Sequence, residues 1–208
     1  MLQARPGLRH TSDLDSLQNL RARQRAAGPD DQMTGFVFNG LLHHSTTLLG
    51  EEATARMRAE AQVPKRIVAL FKYPVATFLA FTDLLAQRRV KAEQDFDFFL
   101  ETIGDLGTRP FLESSAGQLM QMLNGGNVHR MMAYTPTAYD TVYTFGKRKA
   151  ERTGERSGTM EYQGDLLGPA AQCGVLKVGL GLTCQAVIST ALLQCDATGR
   201  EFKIGVSW

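Results

Sequence analysis

The chain is short of most of the groups that announce a chemistry. Its three cysteines, Cys173, Cys184 and Cys195, are odd in number, far apart and never in a Cys-x-x-Cys pair. That excludes a disulfide scaffold or a thiolate zinc site and predicts reduced thiols packed as small hydrophobes. No apolar run reaches the roughly 20 residues of a membrane-spanning helix. The two most apolar stretches, 66–86 and 174–195, are broken by Lys72-Tyr73-Pro74 and Asp83, and by Lys177 and Gln185. Residues 1–31 are polar throughout, so no secretory leader is expected, and a cytoplasmic protein without membrane insertion follows. Charge of one sign is scarce as well. Lys and Arg number 23 against 21 Asp and Glu, a formal +2, which falls short of the basic surface that grips a phosphate backbone, so no nucleic-acid partner is expected.

Catalytic and metal-binding patterns are equally thin. There is no Gly-x-Ser-x-Gly turn, and Gly179-Leu180-Gly181-Leu182 lacks the third glycine and the preceding strand of a dinucleotide loop, so it reads as close packing. His43-His44 are adjacent, and neighbours on a helix diverge by about 100°, which keeps both from facing one ion. The cations Lys147, Arg148, Lys149 and Arg152 are interrupted by Glu151 and read as the solvated rim of a strand. These observations predict a chain without catalytic residues, resident metal or cofactor.

What is present is a core. With 43% hydrophobic residues in 208, the chain can close one domain of ordinary size. Residues 1–31 read as a polar tail with a possible short helix from Ser12 to Arg25, capped by Thr11 or Ser12 and carrying Leu14, Leu17 and Leu20. From 32 to 133 the apolar spacing is helical: 36–49, 51–61 with Glu51 and Glu52 in its first turn, a helix entered through Tyr73-Pro74, then 95–106 ended by Gly104 or Gly107, 110–123 ended by Gly125-Gly126, and a short helix capped by Asn127. From 134 to 208 the period turns to two. Tyr139, Thr141, Tyr143 and Phe145 predict a strand, turning at 152–158 into a second through Met160 and Tyr162; a helix from Ala170 to Leu182 precedes strands at 187–195 and 202–208. The expectation is a single α+β domain over 32–208, an N-terminal helical half packed on a C-terminal, mainly antiparallel sheet of about four strands. Helical spacing turns Phe78, Phe99, Leu119, Met120 and Met131 inward, making them candidate pocket residues for a small apolar ligand. Met122 and Met132 are read into the same core.

Several residues carry a resemblance. Met33-Thr34-Gly35-Phe36-Val37-Phe38, Tyr73-Pro74, Gly104-x-x-Gly107, Thr135-Pro136-Thr137-Ala138-Tyr139, Gly146, Cys173-Gly174-Val175-Leu176 and Val206-Ser207-Trp208 resemble, in this order, a paralogous family of unknown function found mainly in myxobacteria. The segment from Cys173 to Trp208 is more distantly similar to haem-NO-binding domains, 4-vinyl reductase domains and small TRAPP subunits. This likeness implies a helical half on an antiparallel sheet with a pocket between the layers, and a module that senses a small molecule, docks a signalling protein or forms a homodimer. It also raises haem. The haem-NO-binding pattern uses an axial histidine and a Tyr-x-Ser-x-Arg element for the propionates. Here His129 is the candidate axial ligand, and Tyr143-Thr144-Phe145-Gly146-Lys147 has Phe145 in place of serine and Lys147 in place of arginine. Both polar anchors are lost, so haem is not expected.

Overall fold

A computed structural model describes residues 15–90 and 94–208. The helical half opens with α1 (Leu17–Ala26), capped by Ser16, whose hydroxyl accepts from the Asn19 amide at 3.2 Å. Thr11 and Ser12, the expected caps, lie outside the described residues. Within the stretch read as a tail, Leu20 and Arg23 are fully buried, and α1 packs on α4 (Val75–Arg89). A helix that buries one leucine and one arginine gives no apolar stripe, which is why its periodicity reads as weak.

Short strands β1 (Gln32–Thr34) and β2 (Lys72–Pro74) pair antiparallel. Each leads straight into a helix, β1 into α2 (Gly35–Leu49) and β2 into α4, while α3 (Glu51–Glu60) stands between them. Pro74 is therefore the residue that flanks α4, its φ of −57° already suited to the turn into the helix. Edge-on contacts of Phe38 with Tyr73 and Phe78, at 5.7 and 5.3 Å between ring centres, join α2 to β2 and α4.

The next helix corrects the sequence reading. α5 (Gln94–Glu113) runs unbroken through Gly104 and Gly107, followed by α6 (Ser115–Asn124). The glycines serve packing here and end nothing. A Cβ on Gly104 would stand 2.0 Å from the Ala171 carbonyl oxygen, and one on Gly174 would stand 2.0 Å from that of Glu101. Two helices thus touch backbone to backbone, because neither has a side chain at the crossing. The partner is α8 (Pro169–Cys184).

α7 (Val128–Val142), capped by the Asn127 side chain accepting from the Arg130 amide at 3.0 Å, runs well past residue 133, where the sequence reading ends the helical half. It absorbs Tyr139 and Thr141, so the strand expected at 139–145 is instead β3 (Lys147–Gly154). Burial of Tyr139 and Val142 on one helical face outweighs the β preference of that alternating segment. β4 (Ser157–Gln163), β5 (Ser189–Cys195) and β6 (Phe202–Ser207) complete an antiparallel sheet in the order β3-β4-β6-β5. The α+β arrangement with a four-stranded C-terminal sheet is what the sequence led us to expect.

Met160, Tyr162, Phe202, Ile204, Val206 and Leu192 form the sheet's inner face, with Tyr162 stacked on Phe202 at 4.6 Å. α7 and α8 lie against the sheet, α5 lies behind α8, and α2 behind α5. Among the described residues no helix is long and apolar enough to cross a membrane.

Candidate functional site

Four helices leave a cleft where they diverge. α5 supplies Gly107, Thr108, Phe111 and Leu112; α6 supplies Met120; α7 supplies Met131, Thr135, Ala138, Tyr139 and Val142, with Tyr143 next to its end; α8 supplies Val175, Leu176, Gly179 and Leu180. The close crossing of α5 and α8 at Gly104 and Gly174 fixes one end of the cleft, and beyond it the two helices separate. The cleft encloses about 60 Å³ of free volume and widens to about 530 Å³ when its open mouth is counted. Its walls are mostly apolar, and methionines from two different helices give it side chains that can re-pack around a guest.

The polar groups of this wall are largely spent on the protein itself. The Thr108 hydroxyl donates to the Gly104 carbonyl at 2.8 Å and that of Thr135 to the Met131 carbonyl at 2.9 Å. Tyr139 donates to Gln172 Oε1. Gln172 in turn donates to Asp165 Oδ2 at 2.8 Å. Asp165 also accepts from the Leu167 and Gly168 amides, both at 2.8 Å, and pairs with Arg148 at 3.0 Å. Both charged side chains are only 1% exposed. The Arg148 guanidinium lies 4.8 Å over the Tyr139 ring and 5.4 Å over that of Tyr143. Arg148 is therefore no solvated rim cation, as its place in a Lys-Arg-Lys run suggests; its neighbours point outward while it turns inward to the buried Asp165 carboxylate. Burial pushes the Tyr139, Tyr143 and Tyr162 phenols well above their ordinary range. Burial also pushes the Cys173 thiol up to about 11. These groups are neutral at physiological pH.

The five residues selected from the sequence do not gather at one place. Met120 and Met131 line the cleft. Phe78 is 1% exposed and packs on Phe38, and Phe99 packs beside Phe96, both in the core away from the cleft. Leu119 turns outward and is 57% exposed, because α6 rests on its neighbours through Met120 and Gly117 and presents its next residue to solvent. Met122 is 80% exposed for the same reason, while Met132 is buried. The sequence reading missed Tyr139, Tyr143, Thr135 and Leu180. The first two were assigned to a strand, and recognising Pro136 as tolerated inside a helix would have placed Tyr139 on α7 and Tyr143 just past its end.

None of the curated proteins matches this chain. Among solved structures, the chain is similar to an H-NOX protein from S. oneidensis in the Fe(II)NO ligation state, at 14% identity and a TM-score of 0.66 over 84% of this chain and 98% of that one. It is likewise similar to the Fe(II) unliganded H-NOX protein from K. algicida, at 16% identity and a TM-score of 0.62 over 84% of this chain and 96% of that one. These likenesses establish the fold.

The residues present do not fit a haem. No described histidine lines the cleft: His43 and His44 lie on α2, and His129 bonds through Nε2 to the Glu155 carbonyl at 2.8 Å with its ring edge-on to Trp208, while His10 lies outside the described residues. None of the five tyrosines is followed by serine and arginine at the second and fourth positions. The buried tyrosines hold their protons, so no phenolate stands ready for iron, and a free volume of about 60 Å³ is far below the roughly 300–1,000 Å³ of ordinary cofactor pockets. Among the described residues no three His, Cys, Asp or Glu side chains come together to hold a metal. An H-NOX-like fold with an apolar cleft and no haem ligands agrees with the match of residues 26–208 to a single family: the chain belongs to DUF2378, a family of proteins of unknown function.

Proposed function

We propose that this chain is a non-catalytic, haem-free ligand-binding module that takes a small apolar molecule into the cleft between α5, α6, α7 and α8 and serves bacterial, in particular myxobacterial, signalling in the cytoplasm. The observation that carries this reading is the cleft itself, an apolar hollow walled by four helices and floored by a hydrogen-bonded polar network that, among the described residues, leaves no acid, base and nucleophile facing one another. The H-NOX family, whose solved structures share this fold, carries haem, which supports a bound ligand here, and the absence of a described histidine from the cleft supports one other than haem. Native mass spectrometry and an absorbance spectrum of protein isolated from its own cells test it. A bound neutral organic molecule without haem absorbance is expected; an intense haem band, or a mass equal to the bare chain in every preparation, overturns it.

A second reading is docking to another chain, a homodimer partner or a signalling protein. It is favoured by one observation, the outward row of Leu119, Met122 and Leu123 on α6, 57%, 80% and 60% exposed. Light scattering that finds a monomer at all concentrations removes the homodimer.

A further inference from the structure

Four hydroxyl groups belong to residues lining the cleft, and three are committed. Thr108 and Thr135 each donate to a carbonyl one turn earlier in their own helix, and Tyr139 donates to Gln172. Tyr143, 7% exposed, spends its backbone amide on the Tyr139 carbonyl, but its hydroxyl has no hydrogen-bond partner among the described residues. Its ring is fixed by Tyr139 at 5.5 Å and Phe145 at 5.3 Å between ring centres. Its oxygen is not among the buried polar atoms that lack a partner, so it opens on free space where water or a ligand in the cleft can accept its hydrogen bond.

We propose that the ligand of this cleft is a neutral aliphatic carbonyl compound, a slender ketone, aldehyde or ester, whose carbonyl oxygen accepts a hydrogen bond from the Tyr143 hydroxyl. The inference rests on the cleft being the binding site. Neutrality follows from the charges around it. Among the described residues, the cation near the Tyr143 ring, Arg148, pairs with Asp165 and donates to the Phe145 carbonyl while its Nε stays unpartnered, and no charged side chain lines the cleft. A carboxylate would enter without a counter-ion, which an apolar wall does not tolerate. The direction of the bond follows from the phenol. Burial holds it protonated, with Arg148 pulling the other way and Asp165 adding to the burial effect, so Tyr143 offers a donor. A slender chain follows from the volume. The enclosed part takes only a few carbons, and the remainder lies along the apolar mouth.

Hexan-2-one, labelled with carbon-13 at the carbonyl, and hexane are the probes, titrated into the full chain and followed by amide chemical shifts. Both should bind. Tyr143→Phe should weaken hexan-2-one roughly tenfold and leave hexane within about twofold, since one buried hydrogen bond is at stake. The carbonyl stretching frequency of bound hexan-2-one should be lower in the natural chain than in Tyr143→Phe. Met120→Trp, which fills the cleft, should abolish both ligands. If both probes bind and Tyr143→Phe changes neither the affinity nor the carbonyl frequency, the assignment to Tyr143 is overturned while the cleft stands as the site. If neither probe binds, or if Met120→Trp leaves binding intact, the cleft itself is wrong and the assignment falls with it. Equal melting temperatures of the two Tyr143 forms separate lost binding from lost folding.

Discussion

Arg23 and Asp15 face each other at 2.7 Å with neither side chain reaching solvent. The other oxygen of Asp15 accepts from the Ala170 amide at 3.0 Å, within the first turn of α8, where a helix has unpaired donors and favours an anion. Arg23 closes over Gly168 and Gly199. Both glycines sit at positive φ, +89° and +68°, and a Cβ on Gly168 would lie 2.5 Å from the Arg23 guanidinium carbon. The first helix is thus clamped to the start of the eighth.

Removing one partner of that pair should be expensive. Arg23→Ala leaves the Asp15 carboxylate buried and unmatched, and a loss of about 3–5 kcal/mol in urea unfolding is expected. Arg23→Lys should recover little, because a single ammonium cannot cover the space of the planar fork. A loss below about 1 kcal/mol for Arg23→Ala would show that the clamp opens readily to water.

The crossing of α5 and α8 should tolerate no added methyl group. Gly104→Ala and Gly174→Ala each place a Cβ 2.0 Å from a backbone oxygen, and backbone cannot step aside as a side chain tip can. Each should lower stability by about 1–3 kcal/mol through forced separation of the helices. Because those helices also wall the cleft, hexane affinity should change in the same variants. Gly179→Ala, whose Cβ would meet only the Thr108 methyl at an ordinary 3.6 Å, is the control and should fold normally.

Asp165 holds Arg148, Gln172 and two backbone amides at once. Asp165→Ala should therefore cost about 3–5 kcal/mol, most of it from the stranded Arg148 cation. Combining it with Arg148→Met should restore part of the loss, a coupling that a double-mutant cycle measures. Strict additivity of the two single losses would mean that the ion pair is not the reason for the cost.

The molecule should weaken in alkali in a particular order. Cys173 has a folded value of about 11 against an ordinary 9.0, mainly from burial. The folded state keeps this proton where the unfolded chain releases it. The contribution is therefore fully present below pH 9 and is lost as pH rises from there through about 11. The buried Tyr139, Tyr143 and Tyr162, raised from an ordinary 10.0, extend the decline above pH 10. Urea midpoints should fall between pH 8 and pH 10.5, and Cys173→Ala should make the portion between 9 and 10 shallower, with Cys195, also pushed up to about 11 by burial, supplying part of what remains. Unchanged midpoints across that range would contradict the burial of these groups.

The sequence made the fold class legible because its longer helices and its last strands carry the two simple periods. Phe202, Ile204 and Val206 alternate inward as written, and α3 and α8 begin within a residue of their expected starts. The cleft was legible only at Met120 and Met131. Its other walls were hidden by three kinds of compensation that no single-sequence pattern reveals. Glycines inside α5 act on a helix about 70 residues away, Pro136 is accommodated within α7, and Arg23 and Arg148 are buried by partners distant in the chain. In each case a local signal for a break or for a surface is overridden by a tertiary contact.

α8 is held at its beginning by Asp15 and bordered along its length by the hollow beside Val175, Leu176 and Leu180. The anchor and the wall therefore belong to one rod, and whatever loosens the Asp15 end also loosens a side of the hollow.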